Sequence, residues 1–279
     1  IKMLLSKNYI ESQVCIALEE DLGKLGDITS QATVPQNQKS SAKIKIKQDA
    51  VLCGIDFACL AFKLLDKKIK ISARKKDGSY LKKGSTILKL HGNTQAILAA
   101  ERTALNFLGL MSGIATKAKN YSKIAKKYGS EIYSTRKTIV GIRDLQKYAL
   151  NIGGANINRM TLDDFFFIKD NHISQSKDIT KTIAQVKAFY PKKKITIEVD
   201  TITQLKKIIN EKIDVVLLDN MNTMQIKKCI KIINGRFQCE ASGNITLKNL
   251  NTISRTGVNR ISTGQLTHSI SNVDFGLEI

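Results

Sequence analysis

Tryptophan is absent from the 279 residues, aromatic side chains make up only 6%, and there are two prolines and three histidines. With so few rings, stacking platforms for single-stranded nucleic acid are scarce. Two prolines leave no Pro-rich linker to mark a domain edge. The five cysteines (Cys15, Cys53, Cys59, Cys229 and Cys239) form no CxxC pair, and His91, His172 and His268 do not stand at zinc-finger spacing. A structural zinc site is therefore not expected, and the cysteines read as free thiols in a reducing compartment. Long apolar runs are missing too. The first, Met3-Leu4-Leu5, falls far below a signal-peptide core or a membrane span, so a cytoplasmic protein with no membrane partner is expected. Acidic residues are the last scarcity: 24 against 45 Lys and Arg, a formal charge of +21. Nucleic-acid binding would need the bases gathered on one face. Here they are scattered, as in Lys67-Lys68, Lys82-Lys83, Lys126-Lys127 and Lys192-Lys193-Lys194. The pattern predicts a solvated basic surface with no nucleic-acid partner, a surface that still draws polyanionic metabolites toward a cleft.

What is present is an apolar content of 42%, enough for one large core or two smaller ones. Residues 9–20 carry Ile10, Val14, Ala17 and Leu18 at helical spacing, and Asp21-Leu22-Gly23 ends that helix. Residues 42–46 alternate as a strand with Lys43 and Lys45 outward, residues 54–65 read as a helix, and residues 70–73 and 86–90 are short strands around the turn Asp77-Gly78-Ser79. The first hundred residues thus form a mixed α+β unit. Residues 94–127 are one helical stretch with an interruption at Ser112-Gly113, and the domain boundary is placed inside it, near residue 105. Short apolar strands follow at 131–134, 165–168, 195–199, 215–218, 237–241 and 258–261, separated by amphipathic segments such as 179–189 and 202–209. Six strand–helix alternations predict an α/β fold with a parallel sheet, open or closed into a barrel.

The residues that follow each strand sort by chemistry. The first strand runs into Thr135-Arg136-Lys137, the second into Lys169-Asp170-Asn171-His172, and the third carries Glu198 at its end. The fourth stops at Asp219-Asn220, the fifth at Ser242-Gly243-Asn244 and the sixth at Ser262-Thr263-Gly264. In a parallel barrel these ends share the C-terminal face, where such folds keep their active sites. Arg136, Lys137 and Lys169, with Arg159 in a preceding loop and Arg102 in the long helix, match carboxylate or phosphate. Glu198 and Asp219 are the acids at two neighbouring strand ends, an arrangement suited to Mg2+ beside substrate phosphates. The two small, glycine-bearing loops suit backbone N–H groups cradling a phosphate. Each feature alone has a bland alternative: a surface charge at Arg102, or structural ion pairs of Lys137 and Lys169 with Glu198 and Asp219. The joint pattern points to a site for a phosphate ester, one or two carboxylates and Mg2+.

Those residues carry a family resemblance. Glu101-Arg102-Thr103-Ala104-Leu105-Asn106 with Ser112-Gly113-Ile114-Ala115-Thr116 resembles a helix of the quinolinate phosphoribosyltransferases. Thr135-Arg136-Lys137-Thr138 with Gly141, Arg143 and Lys147-Tyr148-Ala149 is similar to a second block of that family. Ile168-Lys169-Asp170-Asn171-His172, Leu218-Asp219-Asn220-Met221, Glu240-Ala241-Ser242-Gly243 and Gly264-Gln265-Leu266-Thr267-His268 continue the likeness in order. So does Glu20-Asp21-Leu22-Gly23 with Gly26-Asp27-Ile28-Thr29-Ser30 near the start. The resemblance implies an N-terminal α+β sandwich over 1–105, an incomplete TIM-like α/β barrel over 106–265, and a tail over 266–279 returning to the sandwich. It implies transfer of a phosphoribosyl group from phosphoribosyl pyrophosphate to quinolinate with loss of CO2, with Mg2+ as cofactor.

By the same resemblance Arg102, Arg136, Arg159 and Lys169 hold the carboxylates, with Thr135 and Asn158 in the same substrate site. Lys137, Glu198 and Asp219 act catalytically on ribose, pyrophosphate and Mg2+, the metal held indirectly through substrate or water. Ser242, Gly243, Asn244, Ser262, Thr263 and Gly264 take the 5-phosphate. The resemblance also implies a homodimer with shared sites, Arg102 acting in trans. Leu105, Leu108 and Met111 then lie either between subunits or in the core of one chain. The chain departs from the pattern at Asn158, where the family usually has His, so no imidazolium is available there. Gly153-Gly154-Ala155 shortens a glycine run, Thr196 replaces a common Glu, and the early acidic motif carries one extra residue. Two rivals stay open: a transferase for a monocarboxylate such as nicotinate, which needs fewer cations, and a nucleic-acid-binding protein.

Overall fold

The computed structural model describes residues 3–279. By contact the chain forms two compact units, one of residues up to 119 with 144–153 and 270–279, the other of 120–143 and 154–269. The boundary expected near residue 105 and the contact boundary at 119 fall inside the same helix.

The first unit begins with α1 (Lys7–Leu22), α2 (Ile28–Thr33), β1 (Lys39–Ile46), β2 (Ala50–Val51) and α3 (Ile55–Leu65). It continues through β3 (Lys70–Arg74), β4 (Tyr80–Leu81), β5 (Thr86–Asn93) and α4 (Thr94–Lys126), the 33-residue helix that carries the boundary. Ser6 caps α1 by accepting from Tyr9 N, and Gly23 ends it at φ 54°. The α4 helix is uninterrupted, contrary to the break expected at Ser112-Gly113. Those residues form a packing notch instead. Ser112 Oγ accepts from Cys53 N at 3.0 Å, while a Cβ at Gly113 would run into the backbone carbonyl of Ser271. Leu105, Leu108 and Met111 are buried within the chain, which settles them as core of one subunit.

The second unit takes β6 (Glu131–Tyr133), while α5 (Arg143–Ile152) lies almost wholly in the first. Then come β7 (Phe166–Ile168), α6 (Asp170–Ser176), α7 (Ile179–Phe189), β8 (Ile195–Val199) and α8 (Ile202–Ile208). They are followed by β9 (Val215–Asp219), α9 (Thr223–Ile233), β10 (Gln238–Ser242), α10 (Leu247–Ser254), β11 (Arg260–Ser262) and α11 (Gln265–His268). The last element, β12 (Phe275–Glu278), belongs to the first unit and pairs antiparallel with β1 in a sheet ordered β12-β1-β5-β3.

In the second unit the strands run in the order β6-β11-β10-β9-β8-β7, and every pair is parallel. The edges β6 and β7 do not pair with one another, so the α/β barrel is incomplete. Register fixes which side chains share a face. Glu198 pairs with Leu217, Leu217 with Glu240 and Glu240 with Arg260, while Asp219 pairs with Ser242 one pleat further on. Paired residues in a sheet point the same way and their chain neighbours the other way. Ile197, Val216, Leu218, Cys239, Ala241 and Ile261 therefore take the opposite face, and all are buried. One face is apolar core, and the other carries Glu198, Glu240, Arg260, Asp219 and Ser242, with Leu217 among them, toward the strand C-termini.

Candidate active site

The strand C-termini of the second unit line a cavity of about 540 Å3. Thr135, Arg136, Lys137, Asn158, Arg159, Lys169, Glu198, Asp219, Ser242, Gly243, Asn244, Ser262, Thr263 and Gly264 all stand in its wall. Arg102 does not. It is exposed on α4 in the first unit.

One wall is cationic. Arg136 and Arg159 lie near enough to repel, and with burial that repulsion, the smaller effect, lowers the affinity of Arg159 for its proton. Arg136 Nε is buried and has no hydrogen-bond partner among the described residues. The Arg159 guanidinium sits over the rings of Phe167 and Phe165 at 4.9 and 5.8 Å, and Lys169 Nζ lies 5.0 Å from the centre of Phe167. An aromatic face holds cations without neutralising them. Asn158 is anchored by its backbone, N–H donating to Ser134 Oγ at 3.1 Å.

Next to it, on the neighbouring strand ends, the wall is acidic. Glu198, with its side chain only 10% exposed, accepts from Lys169 Nζ at 2.8 Å. Burial raises its proton affinity, Lys169 opposes that, and Asp219 and Asp170 reinforce it. Asp200 is raised as well, by burial and then by Asp219. Carboxylate oxygens of Glu198, Asp200 and Asp219 lie within 4.8 Å of one another. An all-oxygen cluster of this kind fits a hard divalent cation. Asp219 is held from the side by Asn220, whose Nδ2 donates to it at 2.8 Å.

The third wall is built of loops. Gly243 has φ 92°, and a Cβ there would collide with the side chain and backbone N of Asn220, so only glycine fits. Asn220 and Asn244 also adopt left-handed conformations, at φ 52° and 50°. The backbone N–H of Asn220 donates to Ser242 O at 3.0 Å, locking the two strand ends together. Thr263 Oγ1 donates to Ile245 O at 2.9 Å, and Thr267 Oγ1 donates to the carbonyl of Lys137. Capping boxes then start α8, α9 and α10 on Thr201, Asn222 and Thr246, so each helix leaves at once and the strand ends stay open.

Sequence reasoning passed over Phe167, Leu217 and Glu240, which also line the cavity. Each lies two residues before a strand-end residue it had singled out, so the period-two rule was the available signal. Asp200 was noted only as following Glu198, and Gln265 and His268, which line the cavity, were given no site role.

Comparison with known proteins gives a consistent result. Residues 27–112 match the family "Quinolinate phosphoribosyl transferase, N-terminal domain" and residues 114–278 match its C-terminal domain. A tobacco protein named quinolinate phosphoribosyltransferase [decarboxylating] 2b, mitochondrial, is 38% identical over 95% of this chain and 80% of its own length. The crystal structure of nicotinate-nucleotide pyrophosphorylase from Ehrlichia chaffeensis is 36% identical, covers 99% of both chains and superposes with a TM-score of 0.93. The Francisella tularensis enzyme of the same name is 34% identical over 99% of this chain and 97% of its own, with a TM-score of 0.94. With both domains matched in order and the whole fold superposable, this chain belongs to the quinolinate phosphoribosyltransferase family.

Proposed function

We propose that this chain joins quinolinate to phosphoribosyl pyrophosphate and releases pyrophosphate and CO2, giving nicotinate mononucleotide for NAD biosynthesis. The observation that carries the reading is that Arg136 and Arg159 line one cavity, close enough to repel, with Arg136 Nε buried and lacking a hydrogen-bond partner among the described residues. Such a pair is costly unless an anion fills it, and with Lys169 it offers enough cation for two carboxylates.

The chain's residues act by placement and charge. Arg136, Arg159 and Lys169 orient the dicarboxylate, with Asn158 and Thr135 beside it. The loops at 242–244 and 262–264 hold the 5-phosphate on backbone N–H groups. Glu198, Asp219 and Lys137 face the ribose and pyrophosphate. The pyridine nitrogen then bonds to the anomeric carbon as the bond to pyrophosphate breaks and its electron pair leaves with pyrophosphate. In the pyridinium product the bond from ring carbon to 2-carboxylate breaks, CO2 departs, and the ring carbon takes up a proton. No enzyme nucleophile is needed. Orientation of two bound reactants alone is worth roughly 7–11 kcal/mol.

Mg2+ suits the oxygen cluster of Glu198, Asp219 and Asp200, held directly or through substrate and water. Bound there, it would neutralise charge on the pyrophosphate leaving group. The reading includes a homodimer in which Arg102 completes the partner's site. Exposed Ile16, Leu25 and Ile28 on the first unit support a covered surface. It places the enzyme in the cytoplasm, in keeping with five free cysteines, four of them buried; cell fractionation tests this. No helix among the described residues is long and apolar enough to cross a membrane.

The deciding assay compares pyrophosphate and CO2 release with quinolinate and with nicotinate, each with Mg2+ and after chelation. Quinolinate should be turned over only with the metal. Equal turnover of nicotinate would remove the dicarboxylate reading.

A further inference from the structure

The two arginines that repel one another stand on separate segments, and the backbone ladder stops short of both. From β6, the pairing with the segment before β7 runs through Asn156 N to Ile132 O at 2.7 Å and Ser134 N to Asn156 O at 2.9 Å. Its last link is Asn158 N to Ser134 Oγ at 3.1 Å. Arg136 and Arg159 both lie beyond that link, on stretches that go on to expose residues 139–141 and 161–164. Beyond that link the sheet does not set their separation, because β6 and β7 do not pair with one another.

One side chain bridges the gap. Arg143, the first residue of α5, donates from Nε to Thr138 Oγ1 at 3.2 Å and from Nη1 to Met160 O at 2.9 Å. Thr138 is two residues after Arg136, and its N–H donates to Arg136 O at 3.0 Å. Met160 directly follows Arg159, and the Asp164 carboxylate fixes the same turn by accepting from Met160 N at 2.6 Å and Thr161 Oγ1 at 3.0 Å. The planar fork thus has one prong on each cation-bearing segment. Lysine, a point donor on a flexible stem, cannot reproduce that.

We infer that Arg143 is a positioning residue for the dicarboxylate: it ties the segment bearing Arg136 to the segment bearing Arg159 and so sets the spacing of the two guanidinium groups. It does not line the cavity. The inference rests on the proposed role of Arg136 and Arg159, and its consequences fall on one substrate. The hydrogen bonds of Arg143 go to Thr138 and Met160 and not to the 5-phosphate loops at 242–244 and 262–264, so phosphoribosyl pyrophosphate should be bound as before.

The test is steady-state kinetics on the full-length Arg143→Lys and Arg143→Met proteins, with Arg159→Ala and the double variant Arg143→Met/Arg159→Ala alongside. Arg143→Lys and Arg143→Met should raise KM for quinolinate on the order of tenfold, since misplacement by about 1 Å can cost about a hundredfold. KM for phosphoribosyl pyrophosphate should stay within about twofold, a split that a general loss of structure would not produce. Because Arg143 works partly through Arg159, its effect should shrink in the Arg159→Ala background. If Arg159→Ala raises KM for quinolinate while both Arg143 variants leave it unchanged, or raise both KM values alike, the positioning role is wrong. If Arg159→Ala itself leaves quinolinate KM unchanged, the dicarboxylate reading of the cavity fails first.

Discussion

Glu240 shows at the scale of single residues how much the barrel interior tolerates. Its side chain has no exposed surface, and it touches Arg260 Nε at 2.9 Å, whose guanidinium stacks on Tyr133 with its centre 3.8 Å from the ring centroid. Neither carboxylate oxygen has a hydrogen bond of good geometry among the described residues. Burial raises its proton affinity above the ordinary value of 4.5, and Arg260 and Ser262 only partly oppose this. A carboxyl raised in the folded state contributes its full stability below the unfolded value and loses it as pH climbs through the folded one. Glu240→Gln cannot ionise, so its melting temperature relative to wild type should rise from pH 4 toward pH 7. A constant difference across that range would show that Glu240 keeps its ordinary proton affinity. Residues of this kind were hard to read from sequence. Arg136, Lys169, Glu198 and Asp219 were legible because they end strands, where polarity breaks an apolar run. Glu240 sits inside such a run, and only its period-two relation to Ser242 separates it from a surface acid.

Among the elements, the strands were legible where apolar runs are compact: 195–199 is β8 to the residue, and 179–189 is α7. The expected break in α4 was misread because Ser-Gly weakens a helix locally, whereas here both residues serve tertiary contacts far along the chain. Short α6 and α11 follow strand ends rich in turn-forming residues, and periodicity cannot register elements of 7 and 4 residues. The expected turn Asp77-Gly78-Ser79 does more than reverse the chain. Asp77 accepts from Gly54 N and Ile55 N at 3.0 Å each, capping α3 from a distance, and from Tyr148 on α5 at 2.9 Å. Burial raises the proton affinity of Asp77 while these donors resist the rise. Tyr148→Phe removes one donor from a buried acid, a loss of about 1.5–3 kcal/mol. At roughly 2–4 °C per kcal/mol, thermal denaturation should detect it, with kcat unchanged at permissive temperature because Tyr148 is outside the cavity wall. An unshifted melting point would mean that this bond contributes nothing.

At the scale of the whole molecule, the proposed chemistry depends on a residue that the cavity does not contain. Arg136, Arg159 and Lys169 stand together in the second unit, while Arg102 projects from α4 in the first. In the proposed dimer Arg102 completes the anion-binding wall of the partner's site, so it must be tested by where it acts and not only by whether its loss is harmful. Arg102→Ala and Lys169→Ala should each abolish most activity, a result that says nothing about cis or trans action. Mixing the two inactive proteins separates the alternatives. With free exchange, about half of the dimers are heterodimers, and in a C2 dimer with Arg102 acting in trans one of their two sites draws both intact residues. That site combines Arg102 from the Lys169→Ala subunit with Lys169 from the Arg102→Ala subunit, while the other site lacks both. Activity should then recover toward about a quarter of wild type. If Arg102 acts within its own chain, every site in every heterodimer lacks one of the two residues. No recovery, with exchange demonstrated by mass-tagged subunits, would therefore place Arg102 in cis and leave the homodimer without a catalytic reason.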